Sequence, residues 1–245
     1  SPSLFNIYVN DLPEHVPNEI SAIQYADDVL LMTSGHDPET LCERMNECLD
    51  SLKLWAEENE LQFAPRKSSA ILFTRGYKRR LPRNLRIGLD NIPWANSARY
   101  LGVVFDSRLT WKNQIEAMKV KALKAVNILR HICGTWWGSH PSTMLAFYKA
   151  YIRPHLDYGS IVLTKCAITH TRKMDRIQYQ ALRICLGFMK STPTNIILSE
   201  AAELPLESRR VWLASKFLIK SLAQQENPVN RSIYEAYANY NQNID

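Results

Sequence analysis

Glycine is scarce, with eight residues in 245. None lies in a phosphate-cradling loop or a dinucleotide fingerprint, which excludes Walker-type ATPases and Rossmann dehydrogenases. The five cysteines (Cys42, Cys48, Cys133, Cys166 and Cys185) are odd in number and contain no Cys-x-x-Cys pair. No Cys/His cluster accompanies them, so neither a disulfide framework nor a zinc site is expected. Cys42, Cys133 and Cys185 fall in helical apolar patterns and read as buried, reduced thiols. The six histidines are scattered without metal-ligand spacing. No apolar run reaches the roughly 18 residues of a membrane span, so no membrane partner is expected and a soluble globular protein is. A signal-peptide pattern is also missing, but the chain opens on Ser1 rather than Met, so that absence excludes nothing.

Apolar residues are plentiful. Hydrophobic side chains make up 46% and charged ones 22%, enough for a sizeable core and unlike a disordered tail or a fibrous repeat. The net charge of +6 conceals a division. Residues 1–65 hold 13 acids and two bases, whereas residues 66–245 hold 28 bases and 11 acids, a balance of +17. Such asymmetry points to an acidic part beside a part that faces a polyanion, with unequal helix surfaces as the plainer reading.

Residues 3–10 are apolar and fit a helix end or a strand, closed by Asp11-Leu12-Pro13. Ile20–Gln24 and Val29–Thr33 read as a hairpin with Tyr25-Ala26-Asp27-Asp28 at its turn. A helix follows to about Glu60: Asp37 caps it, Pro38 suits its first position, and Leu41, Met45, Cys48, Leu52 and Trp55 repeat at helical spacing. Strands are expected at 61–63 and 69–74 around the bend Ala64-Pro65-Arg66-Lys67. A basic loop with Lys78, Arg79, Arg80, Arg83 and Arg86 comes next. A second hairpin is expected from 85–93 and 98–105, with Asp90-Asn91 at a turn and Tyr100-Leu101-Gly102 on the later strand. From Thr110 the chain turns helical. Trp111, Ile115, Met118, Ala122, Val126, Leu129 and Cys133 form one apolar stripe, and further helices are expected at about 141–152, 170–186, 194–202, 207–225 and 229–240. The change near residue 108 is the best domain boundary, separating 1–107 from 108–245.

Two adjacent carboxylates at a hairpin turn invite hard-cation binding, one as ligand and the other in support. An ordinary acidic surface turn is the alternative.

Tyr25-Ala26-Asp27-Asp28 resembles the Y-x-D-D palm motif of reverse transcriptases. Ser1-Pro2-Ser3-Leu4-Phe5-Asn6 with Asn10-Asp11-Leu12-Pro13 resembles the end of the preceding motif in non-LTR (LINE-type) retrotransposon enzymes, particularly Jockey-like ones. The order continues. Ala64-Pro65-Arg66-Lys67 before Ile71-Leu72-Phe73 resembles the next palm motif, though asparagine is usual at Ala64 and threonine often stands at Ser68. Tyr100-Leu101-Gly102-Val103 resembles the primer grip. Tyr151–Ser160, Ile177-Gln178 with Ala181-Leu182-Arg183, Thr192-Pro193, and Glu203-Leu204-Pro205-Leu206 are similar to the region after the palm, so the resemblance is collinear over nearly the whole chain.

The resemblance implies an α+β fold: a partial palm of antiparallel strands with helix, then an all-helical thumb and C-terminal extension. It implies RNA-directed DNA polymerase activity by two-metal nucleotidyl transfer, with Mg²⁺ (Mn²⁺ as substitute), an RNA template, a DNA primer and dNTPs, inside an intracellular ribonucleoprotein, nuclear or cytoplasmic. Asp27 is then the main metal ligand and Asp28 its support. Tyr25 packs beneath the turn near the primer end, with a plain core tyrosine as the alternative. Lys67 sits near the triphosphate, against a solvated loop lysine. Tyr100, Leu101 and Gly102 hold the primer backbone, against a strand bulge at Gly102. The fingers and the first palm motif, with its metal-binding aspartate, are expected upstream of Ser1, so the chain alone is expected to be inactive.

In the helical part, Lys112, Lys119 and Arg130 fall within about 20° of one another at 100° per residue and form a ridge suited to a phosphate backbone. Arg172, Arg176 and Arg183 form a similar row, with a solvated face as the alternative to each. Trp136-Trp137 suits base stacking or core packing. The competing function is a non-catalytic nucleic-acid-binding remnant or host-retained fragment, and a structural protein without nucleic acid is a more distant one.

Overall fold

The computed structural model describes residues 2–74, 81–134, 138–227 and 229–241. The expected basic positions Lys78, Arg79 and Arg80 and the Trp136-Trp137 pair lie outside the described residues. The chain divides into two compact units, Ser1–Leu109 and Thr110–Asp245.

The first unit mixes helices with small antiparallel strand pairs. Helix α1 (Pro2–Tyr8) leads into a 3-10 turn at Leu12–His15, resolving the ambiguous 3–10 segment as helix. Strands β1 (Ser21–Tyr25) and β2 (Asp28–Met32) pair in the register Tyr25↔Asp28 to Ser21↔Met32. Helix α2 (Pro38–Glu58) starts where its sequence signals place it: the Asp37 side chain accepts from the Glu39 and Thr40 backbone N–H groups, and Pro38 needs no such partner. The Thr40 hydroxyl also donates to Asp37, and these bonds hold its carboxyl below the ordinary carboxylate range.

Helix α2 is the spine of this unit because it is apolar on two sides. Cys48, Leu52, Trp55 and Ala56 pack with Val9, Leu12 and Ile20, while Cys42 and Leu49 pack with Leu85 and Ile92. Two short hairpins follow: β3 (Leu85–Ile87) with β4 (Asp90–Ile92), and β5 (Ser97–Tyr100) with β6 (Val103–Asp106). This corrects the single hairpin expected from 85–93 and 98–105. Asp90 and Asn91 lie on β4, and the turns are instead Gly88-Leu89 and Leu101-Gly102. Gly88, with φ +62°, supplies the left-handed residue that a two-residue hairpin loop needs.

The strands expected at 61–63 and 69–74 do not form. The Leu61 N–H is taken by Ala56 O at the end of α2, and Lys67 and Ser68 fold back onto Ala64. Only Ala70 pairs, through its N–H to Pro93 O and its carbonyl from Ala95 N–H, as an isolated bridge. Pro93 has no N–H to extend that ladder.

The second unit is helical: α3 (Lys112–Ile132), α4 (Pro141–Phe147), a π-helical turn (Tyr148–Ile152), α5 (Arg153–Asp157), a 3-10 segment (Ser160–Lys165), α6 (Ile168–Leu186), α7 (Thr194–Glu200), α8 (Leu206–Leu222) and α9 (Val229–Asn241). Sequence periodicity had merged 141–152 into one helix and left 160–165 without an element. The apolar stripe of α3 is buried as its spacing requires, with Ile115, Met118, Ala122, Val126 and Leu129 packed against Met144, Tyr148, Met174, Ile177 and Leu182. None of the five cysteines forms a disulfide. Cys42 and Cys185 are buried, whereas Cys133 is only half-buried at the end of α3. Burial pushes the Cys185 thiol up to about 12, so it stays protonated and inert.

Polar ties lock this core. The Glu203 carboxylate, 3% exposed, receives Arg153 Nη1 at 2.8 Å and Lys149 Nζ at 3.7 Å. Asp157 accepts a two-pronged contact from Arg209, at 2.7 and 2.6 Å. Gln178 Nε2 donates to Leu204 O, and Arg183 Nη2 donates to Thr192 O. The four stretches singled out downstream of residue 150 are therefore bonded to one another. Removing one member of a buried pair strands its partner's charge. Asp157→Ala is expected to destabilise the protein by about 3 kcal/mol in urea unfolding, and Asp157→Ala/Arg209→Ala by less than the sum of the single changes.

Candidate functional site

The candidate site lies in the first unit, at the tip of the β1–β2 hairpin. Its loop is Ala26-Asp27, with Ala26 at φ +52° in the left-handed region. A non-glycine residue there costs about 1–2 kcal/mol, and the strain is spent on a reversal tight enough to leave both carboxylates at the apex. Asp27 occupies the loop and Asp28 is the first residue of β2. The two are therefore not successive residues of one strand, and the alternation of strand faces does not set their directions. Both are exposed, and among the described residues neither carboxylate forms a hydrogen bond or an ion pair.

Tyr100, the last residue of β5, comes near Asp28. Burial raises its phenol above the ordinary tyrosine range, and the Asp28 charge raises it further. Its hydroxyl is enclosed without a hydrogen-bond partner among the described residues. Tyr25 does not pack beneath the turn: it is 65% exposed, because its position on β1 falls on the solvent side of a strand whose exposure alternates. Leu101 and Gly102 form the two-residue loop of the next hairpin, with φ +45° and +79°. Gly102 is thus at a turn and not within a strand. Lys67 is exposed on the turn that closes over Ala64.

Behind the hairpin lies an apolar cleft of about 1000 Å³, reached by Val29, Leu31, Leu41, Trp94, Tyr100 and Phe105. Sequence reasoning missed it. Each strand pair alone reads as complete, and only their separation leaves the space.

Hard-cation chemistry fits the tip in part. Mg²⁺ takes oxygen donors and is usually held by one or two carboxylates with water and phosphate filling the rest. Asp27 and Asp28 offer such donors, but no group of three or more His, Cys, Asp or Glu gathers to hold a metal among the described residues. The tip is therefore a partial donor set and not an all-protein cage.

The cations foreseen for a polyanion are distributed unevenly. In the first unit, Arg83 reaches Glu39 and Glu43, and Arg86 reaches Asp50, so helix α2 absorbs two members of the basic loop. In the second unit, Lys112, Lys119 and Arg130 all lie on α3, with Lys112 and Arg130 exposed. Lys119 contacts Glu116 at 3.2 Å, and Arg130 donates to Asn127 at 2.6 Å. Glu116 is shared with Lys173, and that bond, followed by the one from Lys119, holds its carboxyl below the ordinary range. Of the second row, Arg172 and Arg176 are exposed, but Arg183 is committed to Thr192. Of these ties only Lys119–Glu116 had a local sequence signal, an opposite charge one helical turn away; the others join segments far apart in the chain or use uncharged acceptors.

Comparison with known proteins places the tip in context. Residues 1–105 match the family model of reverse transcriptase (RNA-dependent DNA polymerase). The chain is 25% identical over 202 residues to a retrovirus-related Pol polyprotein from the type-1 retrotransposable element R1 of Nasonia vitripennis, covering 79% of this chain and 59% of that protein. It is 23% identical over 221 residues to a putative 115 kDa protein in the R1DM element of Drosophila melanogaster, covering 89% and 21%. It is 24% identical over 204 residues to the RNA-directed DNA polymerase from the mobile element jockey of Drosophila melanogaster, covering 76% and 21%. The chain thus spans between about a fifth and three fifths of the length of these relatives. No solved structure matches it.

The Leu101-Gly102 loop supplies a direct check on the local geometry. Gly102→Val places a β-branched side chain at φ +79°. It is expected to cost about 1–2 kcal/mol in urea unfolding, the penalty for a left-handed L-residue.

Proposed function

We propose that this chain, whose residues 1–105 match the reverse transcriptase family model, is part of an RNA-directed DNA polymerase of a non-LTR retrotransposon. The single observation that carries the reading is the exposed Asp27-Asp28 tip, two carboxylates held at a strained turn without a cation of their own among the described residues. Unpaired like charges at adjacent positions repel each other, and a bound cation removes that cost. In this reading residues 1–107 are a partial palm, and residues 108–245 a helical thumb and C-terminal extension.

The substrates are an RNA template, a DNA primer and dNTPs. Asp27 is the principal ligand and Asp28 the support for Mg²⁺, with Mn²⁺ as substitute. When bound, the metal ions activate the primer 3′-hydroxyl and neutralise charge on the departing pyrophosphate. The protein's own groups do the rest. Lys67 provides a mobile cation for the triphosphate, where negative charge develops. Tyr100, Leu101 and Gly102 receive the primer backbone: a loop with no side chain at Gly102 admits close approach, and Tyr100 sets one wall beside Asp28. Tyr25, exposed on β1, presents its ring near the primer end. Lys112 and Arg130, with Lys119 where Glu116 releases it, follow the duplex backbone through charge alone and so without sequence readout.

Two carboxylates from one hairpin are fewer donors than a pair of ions requires, so a further carboxylate from a longer polypeptide completes the site. The 245-residue chain is expected to incorporate no dTTP on poly(rA)/oligo(dT) with Mg²⁺, and robust synthesis would overturn this. In the longer polypeptide, Asp27→Asn is expected to abolish incorporation while leaving template–primer affinity largely unchanged. Retained synthesis there removes Asp27 from the catalytic role.

A further inference from the structure

We infer that the outward face of the π-helical turn in the second unit is a stacking platform for single-stranded nucleic acid, with Tyr151 at its centre between Phe147 and His155. The inference rests on the nucleic-acid reading above and assigns a surface that reading leaves without a location.

The three rings follow one another at four-residue intervals. Phe147 and Tyr151 have centroids 5.3 Å apart, and Tyr151 and His155 lie 6.0 Å apart. In a continuous α-helix such a row drifts around the helix surface. At 3.6 residues per turn, eight residues leave the last side chain about 80° from the first. The π-helical turn at Tyr148–Ile152 winds less per residue and so reduces that drift between positions 147, 151 and 155. Such turns gather at functional sites.

The inward side of this segment is fully accounted for. Tyr148 and Ile152 are buried in the core, Arg153 reaches Glu203, and Asp157 reaches Arg209. Phe147 rests partly on the same core and anchors the row. The outward side has no such task, yet Tyr151 stands 45% exposed with a ring on either side.

Charge and chemistry select the occupant. Residues 110–245 carry 18 Lys and Arg against nine Asp and Glu, a net +9, which favours a polyanion over a cationic or neutral peptide. Tyr151, the exposed ring of the row, has a polar tip and suits unpaired bases, whose π-faces stack whatever their identity. A duplex hides those faces, so the platform distinguishes an unpaired strand from a paired one.

The test measures binding of the 245-residue chain to fluorescein-labelled oligo(U) and to an RNA duplex of equal length, by anisotropy across a salt series. Tyr151→Leu keeps apolar bulk and charge but removes the ring. It is expected to weaken oligo(U) binding by roughly five- to a hundredfold, the worth of one stacked base. Duplex binding and the slope against log salt should not change, because no cation is removed. Tyr151→Trp should restore affinity, with circular dichroism and thermal melting confirming that each variant folds. His155→Leu serves if Tyr151→Leu does not fold. If wild type binds and the ring variants bind equally well, or lose single strand and duplex alike, the platform is overturned and the nucleic-acid reading stands. If wild type binds neither ligand at low salt, both fall.

Discussion

A two-stranded hairpin in water is marginally stable by itself, and every named strand among the described residues belongs to such a pair. The first unit therefore depends on burying its hairpins against something larger, and helix α2 supplies that surface on two sides. One side, centred on Leu52 and Trp55, covers the first hairpin and the 3-10 turn; the other, at Cys42 and Leu49, covers Leu85 and Ile92. Val29 and Leu31, on the strand that leaves the strained Ala26 turn, rest in part on this packing.

Electrostatics divides the two units by a different logic than net charge suggests. Part of the acidity of residues 1–65 is consumed by neighbours in the same unit, since Glu39, Glu43 and Asp50 meet Arg83 and Arg86. These exposed pairs contribute little to stability, but they withdraw cations from any polyanion. Asp27 and Asp28 gain no such partner among the described residues, and the two stand together at one hairpin apex. In the second unit, the buried Glu203 and the half-buried Asp157 take inward-facing cations, and the exposed remainder sets the outer field.

The helical unit also shows how one segment serves two ends. Between residues 147 and 157, inward residues join the core and its ion pairs while outward residues form a row of rings. The π-helical turn makes both alignments compatible.

Much of this was legible in the residues themselves. The Asp37 cap, the Pro38 start and the buried stripes of α2 and α3 are encoded within a few turns of chain, so periodicity and capping sufficed to place them. The hairpin bearing Asp27 and Asp28 was equally local, as was the family likeness of its tetrapeptide. Partner choice was not local. Leu85–Ile92 and Ser97–Asp106 closed as separate hairpins, the β-rich 61–74 segment formed only a single bridge, and Tyr25 turned to solvent. Arg153 found Glu203 fifty residues away, and Tyr100 came beside Asp28. A residue's intrinsic preference is written in its neighbourhood along the chain. Which donor meets which acceptor, and which apolar face is covered, depends on segments brought together only by the folded core.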